Sequence, residues 1–176
     1  MTPATEFRHG RPHAGHGAPL YTPEQRRRRD ATPWTLVQGV LAPVQFLVFA
    51  VSVALVLRAL ATGQGADAAA ISVLVKTAFL LAIMVTGAIW EKVVFGRYLF
   101  APAFYWEDVF SMLVIALHVA YVVALVTGVV DTRAQLLVAL AAYAAYLVNA
   151  TQFVLKLRAA RMQERSGVLS ASGSAA

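Results

Sequence analysis

Four apolar runs, at about residues 36–61, 68–90, 109–130 and 134–157, limit what this chain can become. Each reaches the ~20 residues that cross ~30 Å of hydrocarbon as an α-helix. Of 176 residues, 59 % are hydrophobic and 14 % charged, with a mean hydropathy of +0.64, which is too apolar for a soluble domain of this size. The expected fold is therefore all-α, a polytopic membrane protein built as a bundle of four transmembrane helices. The links at 62–67 and 131–133 are short, which makes the first two spans, and the last two, antiparallel neighbours. The connection between the second and third spans is the long one.

Lysine and arginine set the expected orientation. With the amino terminus in the cytoplasm, one side receives the tail arginines, Lys92, Arg97, Lys156, Arg158, Arg161 and Arg165. The other receives Arg58 and Arg133, with Lys76 inside the second span and able to snorkel outward. The positive-inside rule then puts both termini and the central connection in the cytoplasm. Residues 1–20 read as a disordered tail holding His9, His13 and His16, either solvated or a metal-binding tract. Residues 21–35 form a basic juxtamembrane segment, where Thr22 and Pro23 suit the start of a short surface helix. The membrane domain is expected over 36–161 and a flexible tail over 162–176. A polar start and a long first run read as a retained anchor rather than a signal peptide. Cysteine is absent, which removes disulfides, thiolate nucleophiles and Cys-ligated metal. The net charge of +6 collects outside the apolar runs, and no aromatic-interleaved basic stretch points to nucleic acid. The lipid bilayer is the expected surrounding.

Polar groups inside a span are costly and face the bundle interior or a wet cavity. In the first span Gln38, Gln45 and Ser52 recur every seven residues on one face, with Pro43 expected to kink the helix. In the third, Glu107, Ser111, Val114, His118 and Tyr121 form a stripe. The step from Glu107 to His118 advances only ~20° past three full turns and rises ~16 Å. In the fourth, Tyr146, Asn149, Gln152 and Lys156 form another. Nearly all of these groups fall in one half of the bilayer, at the level of Glu91, Glu107 and Asp108. A pocket is expected there, with a polar mouth and an aromatic wall.

The connection at 86–107 is bracketed by two Trp-acid pairs, Trp90-Glu91 and Trp106-Glu107. Each feature also has a plain structural reading. Glu91 beside Lys92 suits an interfacial ion pair, and Glu107 with Asp108 suits the positive end of a helix. Trp90, Tyr98, Tyr105 and Trp106 suit an aromatic belt, and Gln38, Gln45, Asn149 and Gln152 suit interhelical hydrogen bonds. His118 can bond a neighbouring helix, ligate a metal or move a proton. Ala139, Ala142 and Ala145 give the last span a small-residue face for packing within the bundle or between protomers.

Three segments carry a resemblance to a known family: YTPEQRRRRDATPWTLVQGVLAP (21–43), IMVTGAIWEKVVFGRYLFAPAFYWEDVFSMLVIALH (83–118) and NATQFVLKLRAAR (149–161). Together they resemble the 3-vinyl bacteriochlorophyllide hydratases, also called 2-vinyl bacteriochlorophyllide hydratases, over about residues 21–161. The resemblance implies an enzyme of bacteriochlorophyll biosynthesis in a bacterial inner or intracytoplasmic photosynthetic membrane. It implies addition of water across the C3 vinyl group of a magnesium chlorin or bacteriochlorin, giving a 1-hydroxyethyl group. Such a reaction protonates the terminal vinyl carbon and leaves a cation beside the ring, which water then attacks. It calls for an acid, stabilisation of the cation and a base to orient water.

On that chemistry Glu107 or Glu91 is the candidate proton donor, Asp108 the second carboxylate, and His118 the base, the water holder or an axial ligand to the substrate's magnesium. Gln45, Trp90, Tyr105, Trp106, Tyr121, Asn149 and Gln152 are candidate wall and binding residues. Lys92, Arg97 or Lys156 is expected to pair with the substrate propionate. No redox cofactor or protein-bound metal is expected, since the magnesium belongs to the substrate. A homo-oligomer, or contact with other pigment-biosynthesis enzymes, fits the same picture. Two further classes stay open: a non-catalytic chlorin carrier or assembly subunit, and a small transporter, for which the polar path across the second half of the bilayer is missing.

Overall fold

The computed structural model describes residues 20–173, which are helical apart from short connections. Five helices follow in order: α1 (Pro23–Ala31), α2 (Pro33–Thr62), α3 (Ala66–Phe95), α4 (Tyr105–Thr127) and α5 (Thr132–Gly173). Helices α2, α3, α4 and the Thr132–Gln163 part of α5 are long and apolar enough to span a bilayer, with mean hydropathies between 1.5 and 2.5. The chain is an all-α membrane protein of four spans. His9, His13 and His16 lie outside the described residues.

Local chemistry explains where the helices begin and stop. Thr22 caps α1: its hydroxyl accepts from Gln25 N–H at 3.2 Å, and the Gln25 side chain accepts from Thr22 N–H at 2.9 Å. This reciprocal pair and Pro23 in the first turn satisfy amides that have no partner inside a helix. Helix α2 continues unbroken through the exposed Pro43. Gly96 and Gly128 end α3 and α4 with left-handed backbones at φ 82° and 62°, which a Cβ would strain. Gly128 is why α4 stops at Thr127, short of the expected end at 130. At its other end α4 starts at Tyr105 rather than near 109, which places Glu107 and Asp108 in its first turn. Helix α5 continues to Gly173, where a flexible tail was expected from 162. The added stretch opens with good helix formers, Met162, Gln163, Glu164 and Arg165, and runs on through serine and glycine.

Two antiparallel hairpins, α2 with α3 and α4 with α5, hold the main helix pairings, and they meet along a thinner seam. Apolar packing marks three levels along the bundle. At the α2–α3 turn end Val56, Ala59, Ala69 and Val73 pack with Tyr121, Leu136, Ala139 and Tyr143. Leu80, Val114 and Tyr146 meet midway. Near the 96–104 connection Tyr21, Val94, Phe104 and Ala160 close the other end, with Trp90, Phe95 and Phe153 against them. Ala139 and Ala142 are fully buried, so this small-residue face is used inside the bundle. Leu47, Val85, Val126 and Leu155 point outward, as lipid-facing residues must.

Candidate functional site

The 96–104 connection folds over the ends of α3 and α4. Phe100 adopts a left-handed backbone at φ 58°, a strained conformation for a residue with a Cβ. The turn aims two successive amides at two carboxyls. Phe100 N–H donates to Asp108 Oδ2 at 2.7 Å, and Ala101 N–H donates to Glu91 Oε2 at 3.3 Å. The Glu91 and Asp108 carboxyls lie near enough to act on each other's charge. Both are buried, at 5 % and 3 % exposure. Beside them Glu107 forms an ion pair with Lys156 Nζ at 2.6 Å. Three carboxyls and one ammonium thus share one level, an arrangement with excess negative charge unless a proton is kept there.

One turn further in, Asn149 Nδ2 donates to Ser111 Oγ at 2.8 Å. The remaining amide oxygens, Asn149 Oδ1 and Gln152 Oε1, are buried and accept no hydrogen bond from the protein. Deeper again, Lys76, His118, Tyr121, Tyr143 and Tyr146 gather with Gln45 and Ser52. The Gln45 side chain lies beside the Tyr146 hydroxyl. Ser52 Oγ lies 2.5 Å from the Tyr143 hydroxyl and 2.7 Å from Ser72 Oγ. His118 Nδ1 sits 2.8 Å from the Val114 carbonyl. A carbonyl can only accept, so Nδ1 carries the proton and Nε2 presents its lone pair. Nε2, Gln45 Oε1, Lys76 Nζ and the Tyr121 hydroxyl make no hydrogen bond to the protein. Each such buried group costs about 1–3 kcal/mol. Their concentration where the hairpins meet is unlike an ordinary packing core and makes this the candidate site.

The structure brings together most of the residues picked out by periodicity. All five residues of the α4 stripe are buried, with Asp108 beside them. Gln45 and Ser52 are buried on α2, and Gln38 Nε2 donates to Thr86 Oγ1 at 2.7 Å. Glu91 and Lys92 do not pair. Glu91 turns inward, whereas Lys92 is exposed, donates to the Gly96 carbonyl at 3.0 Å and lies 5.3 Å from the Tyr98 ring. Arg97 and Tyr105 are exposed, and Trp106 is 67 % exposed, so these three lie outside the buried cluster. Tyr105 stacks loosely between Phe100 and Trp106, at 5.8 and 5.5 Å. Trp90 packs on Phe95 and Phe104 and donates to Thr35 Oγ1 at 3.0 Å, which ties α3 to α2.

Lys76 corrects the sequence reading most. It does not snorkel but is fully buried, with Nζ 3.8 Å from the centre of the Tyr146 ring. A lysine in the middle of an apolar run was the signal available for it. Tyr143 gave no such signal.

Fold and site together define a class: a four-span membrane protein with a buried carboxyl layer at one end of its bundle and a deeper polar cluster within it. Comparison with known proteins narrows this. The family model of 2-vinyl bacteriochlorophyllide hydratase matches residues 21–159. A protein of that name from Rhodobacter capsulatus is 67 % identical over 147 residues, covering 84 % of this chain and 85 % of the relative. A second, from Cereibacter sphaeroides, is 68 % identical over 143 residues, covering 81 % and 89 %. The chain belongs to the 2-vinyl bacteriochlorophyllide hydratase family. No solved structure matches it.

Proposed function

We propose that this chain is a hydro-lyase of bacteriochlorophyll biosynthesis that adds water to the vinyl group of a chlorophyllide or bacteriochlorophyllide. The observation that carries the reading is close similarity, over most of both chains, to two proteins named for that reaction. The carboxyl layer is what such a reaction needs. The Glu91–Asp108 pair holds a transferable proton, and Glu107, ion-paired with Lys156, supplies fixed negative charge near the cation that forms.

The sequence of events balances without a cofactor. The carboxyl pair gives its proton to the terminal vinyl carbon, and the double-bond electrons form the new C–H bond. Water attacks the inner carbon, and its surplus proton returns to the pair. Asn149 Oδ1 and Gln152 Oε1, as free acceptors one turn inside, suit the task of orienting that water. No electron is gained or lost, so the reading uses no redox cofactor and no protein-bound metal.

His118 takes a different role from the base considered for it. From Asp108 to His118 the helix rises about 15 Å, a gap that a macrocycle bridges and a two-carbon vinyl group does not. With its lone pair unengaged, Nε2 suits axial ligation of the substrate's magnesium. The ring then lies along the seam, vinyl edge toward Glu91 and Asp108. By the positive-inside rule both termini and the carboxyl layer face the cytoplasm, in the bacterial inner or photosynthetic membrane that the family reading implies. Single cysteines introduced at Arg97 and at Gly63, in a chain that has none, would be labelled from opposite sides. Contacts with other pigment-biosynthesis enzymes or with a second copy belong to the same proposal and would show as co-migration in mild detergent.

The decisive test is to incubate membranes containing the protein with a vinyl chlorophyllide or bacteriochlorophyllide in heavy-oxygen water. Product heavier by one labelled water supports the hydratase. Pigment that binds and stays unchanged in mass favours the carrier reading, for which the free His118 Nε2 is the supporting observation.

A further inference from the structure

Lys76 sits in the interior of α3 with no exposure, and its Nζ makes no hydrogen bond to the protein. Among the described residues it is the lysine or arginine that belongs to the buried set. Its contact with the Tyr146 ring is a cation–π interaction that does not replace the hydration an ammonium loses on burial. Tyr146 of α5 and His118 of α4 lie near it, and Gln45 of α2 lies beside the same Tyr146. No carboxylate pairs with Lys76 among the described residues. The cations first considered for the substrate's acid are engaged or exposed elsewhere. Lys156 holds Glu107, Lys92 binds the Gly96 carbonyl, and Arg97 is at the surface.

We infer that Lys76 binds an oxygen acceptor on the edge of the macrocycle remote from the vinyl group. The inference rests on the hydratase reading and deepens it. Two arguments fix the direction of the ring. The cation formed beside the vinyl group is drawn to the carboxyl layer and repelled by an ammonium, so the vinyl edge faces Glu91 and Asp108 and the far edge faces Lys76. The spacing agrees on two helices: Asp108 to His118 on α4, and Tyr146 to Lys156 on α5, each rise about 15 Å between the deep polar cluster and the carboxyl layer. On such a pigment the far half of the ring carries a ring ketone and a propionate. Both offer an oxygen to a lysine, and Lys76 thereby selects which pigments the site accepts.

The test uses the full chain in membranes or mild detergent, with three pigments: the keto free acid, its methyl ester, and the free acid whose ring ketone is reduced to an alcohol. Equilibrium binding is read from pigment fluorescence, alongside KM and kcat. Lys76→Met should weaken binding and raise KM by roughly tenfold or more, with kcat changed far less. If the carboxylate is the partner, both free acids lose affinity and the ester does not. If the ketone is the partner, both keto pigments lose affinity and the alcohol does not, and Lys76→Gln, which keeps a donor, recovers part of the loss. Equal loss on all three pigments, or none on any, overturns the inference. Should the variants fail to fold, the wild-type protein still decides, because binding all three pigments equally well also overturns it. Wild-type protein that discriminates among them but adds no water would sink the hydratase reading and leave the Lys76 assignment standing. Binding none of them overturns both.

Discussion

Replacing Asp108 with asparagine separates the proton from the scaffold that holds it. The asparagine oxygen still accepts the Phe100 amide now bonded at 2.7 Å, and its NH₂ can donate to Glu91 where the shared proton lay. The turn, the strained Phe100 backbone and the α4 start should therefore persist, with a stability change within about 1 kcal/mol. What disappears is a proton that can leave. General acid catalysis contributes roughly 10²–10⁴-fold, or about 3–5 kcal/mol of barrier at 1.36 kcal/mol per decade. Asp108→Asn should lower kcat by that factor with pigment binding intact. Glu91→Gln should do the same, because one proton serves both residues. The double variant should be scarcely worse than either single one, as groups acting as a unit are not additive. The assay is conversion of the vinyl pigment to its hydroxyethyl product, set beside thermal melting to show that the fold survives. Either single variant retaining activity within about threefold of wild type would refute the shared-proton acid.

Three further outcomes follow from the same geometry. His118→Ala should weaken binding of the magnesium pigment about tenfold or more while leaving the metal-free pigment unaffected, as read by absorption titration; equal loss on both would exclude the axial-ligand role. Lys156→Met leaves the buried Glu107 without its counter-charge and should lower stability by about 1–3 kcal/mol, seen as a drop in Tm in detergent. Lys156→Arg should recover most of it. Phe100→Gly relieves a left-handed backbone and should hold or raise Tm by up to ~1 kcal/mol equivalent, whereas β-branched Phe100→Val should lower both Tm and kcat by misplacing Asp108.

Much of this architecture was legible in the chain. A backbone in hydrocarbon must satisfy its own hydrogen bonds, so four long apolar runs could only become four helices. Helical periodicity then sorted the polar residues: Glu107, Ser111, Val114, His118 and Tyr121 recur on one face, and that face is the buried one. The capping box of α1 was legible in part, through Thr22 and Pro23, because it is a contact between near neighbours. Aromatic composition was a poorer guide. Trp90, Tyr105 and Trp106 look alike in sequence, yet Trp90 packs between helices while Trp106 faces outward. A one-residue step along a helix turns a side chain by about 100°, and near a connection nothing local fixes the phase.

The sequence by itself determined four membrane-spanning helices, their antiparallel pairing within each half, and which face of the first, third and fourth spans is polar. These follow from lipid cost and helical period, both properties of a single segment. The partners were decided by the tertiary structure alone. Glu91 meets Asp108 because the 96–104 connection turns at Phe100 and aims two amides at them. Glu107 meets Lys156 because α5 packs beside α4 in that register. Lys76 enters the bundle over Tyr146 because the rotation of α3 puts it there, although its chain neighbours would have let it reach for the surface. Such contacts join residues far apart in sequence and depend on how rigid helices settle against one another.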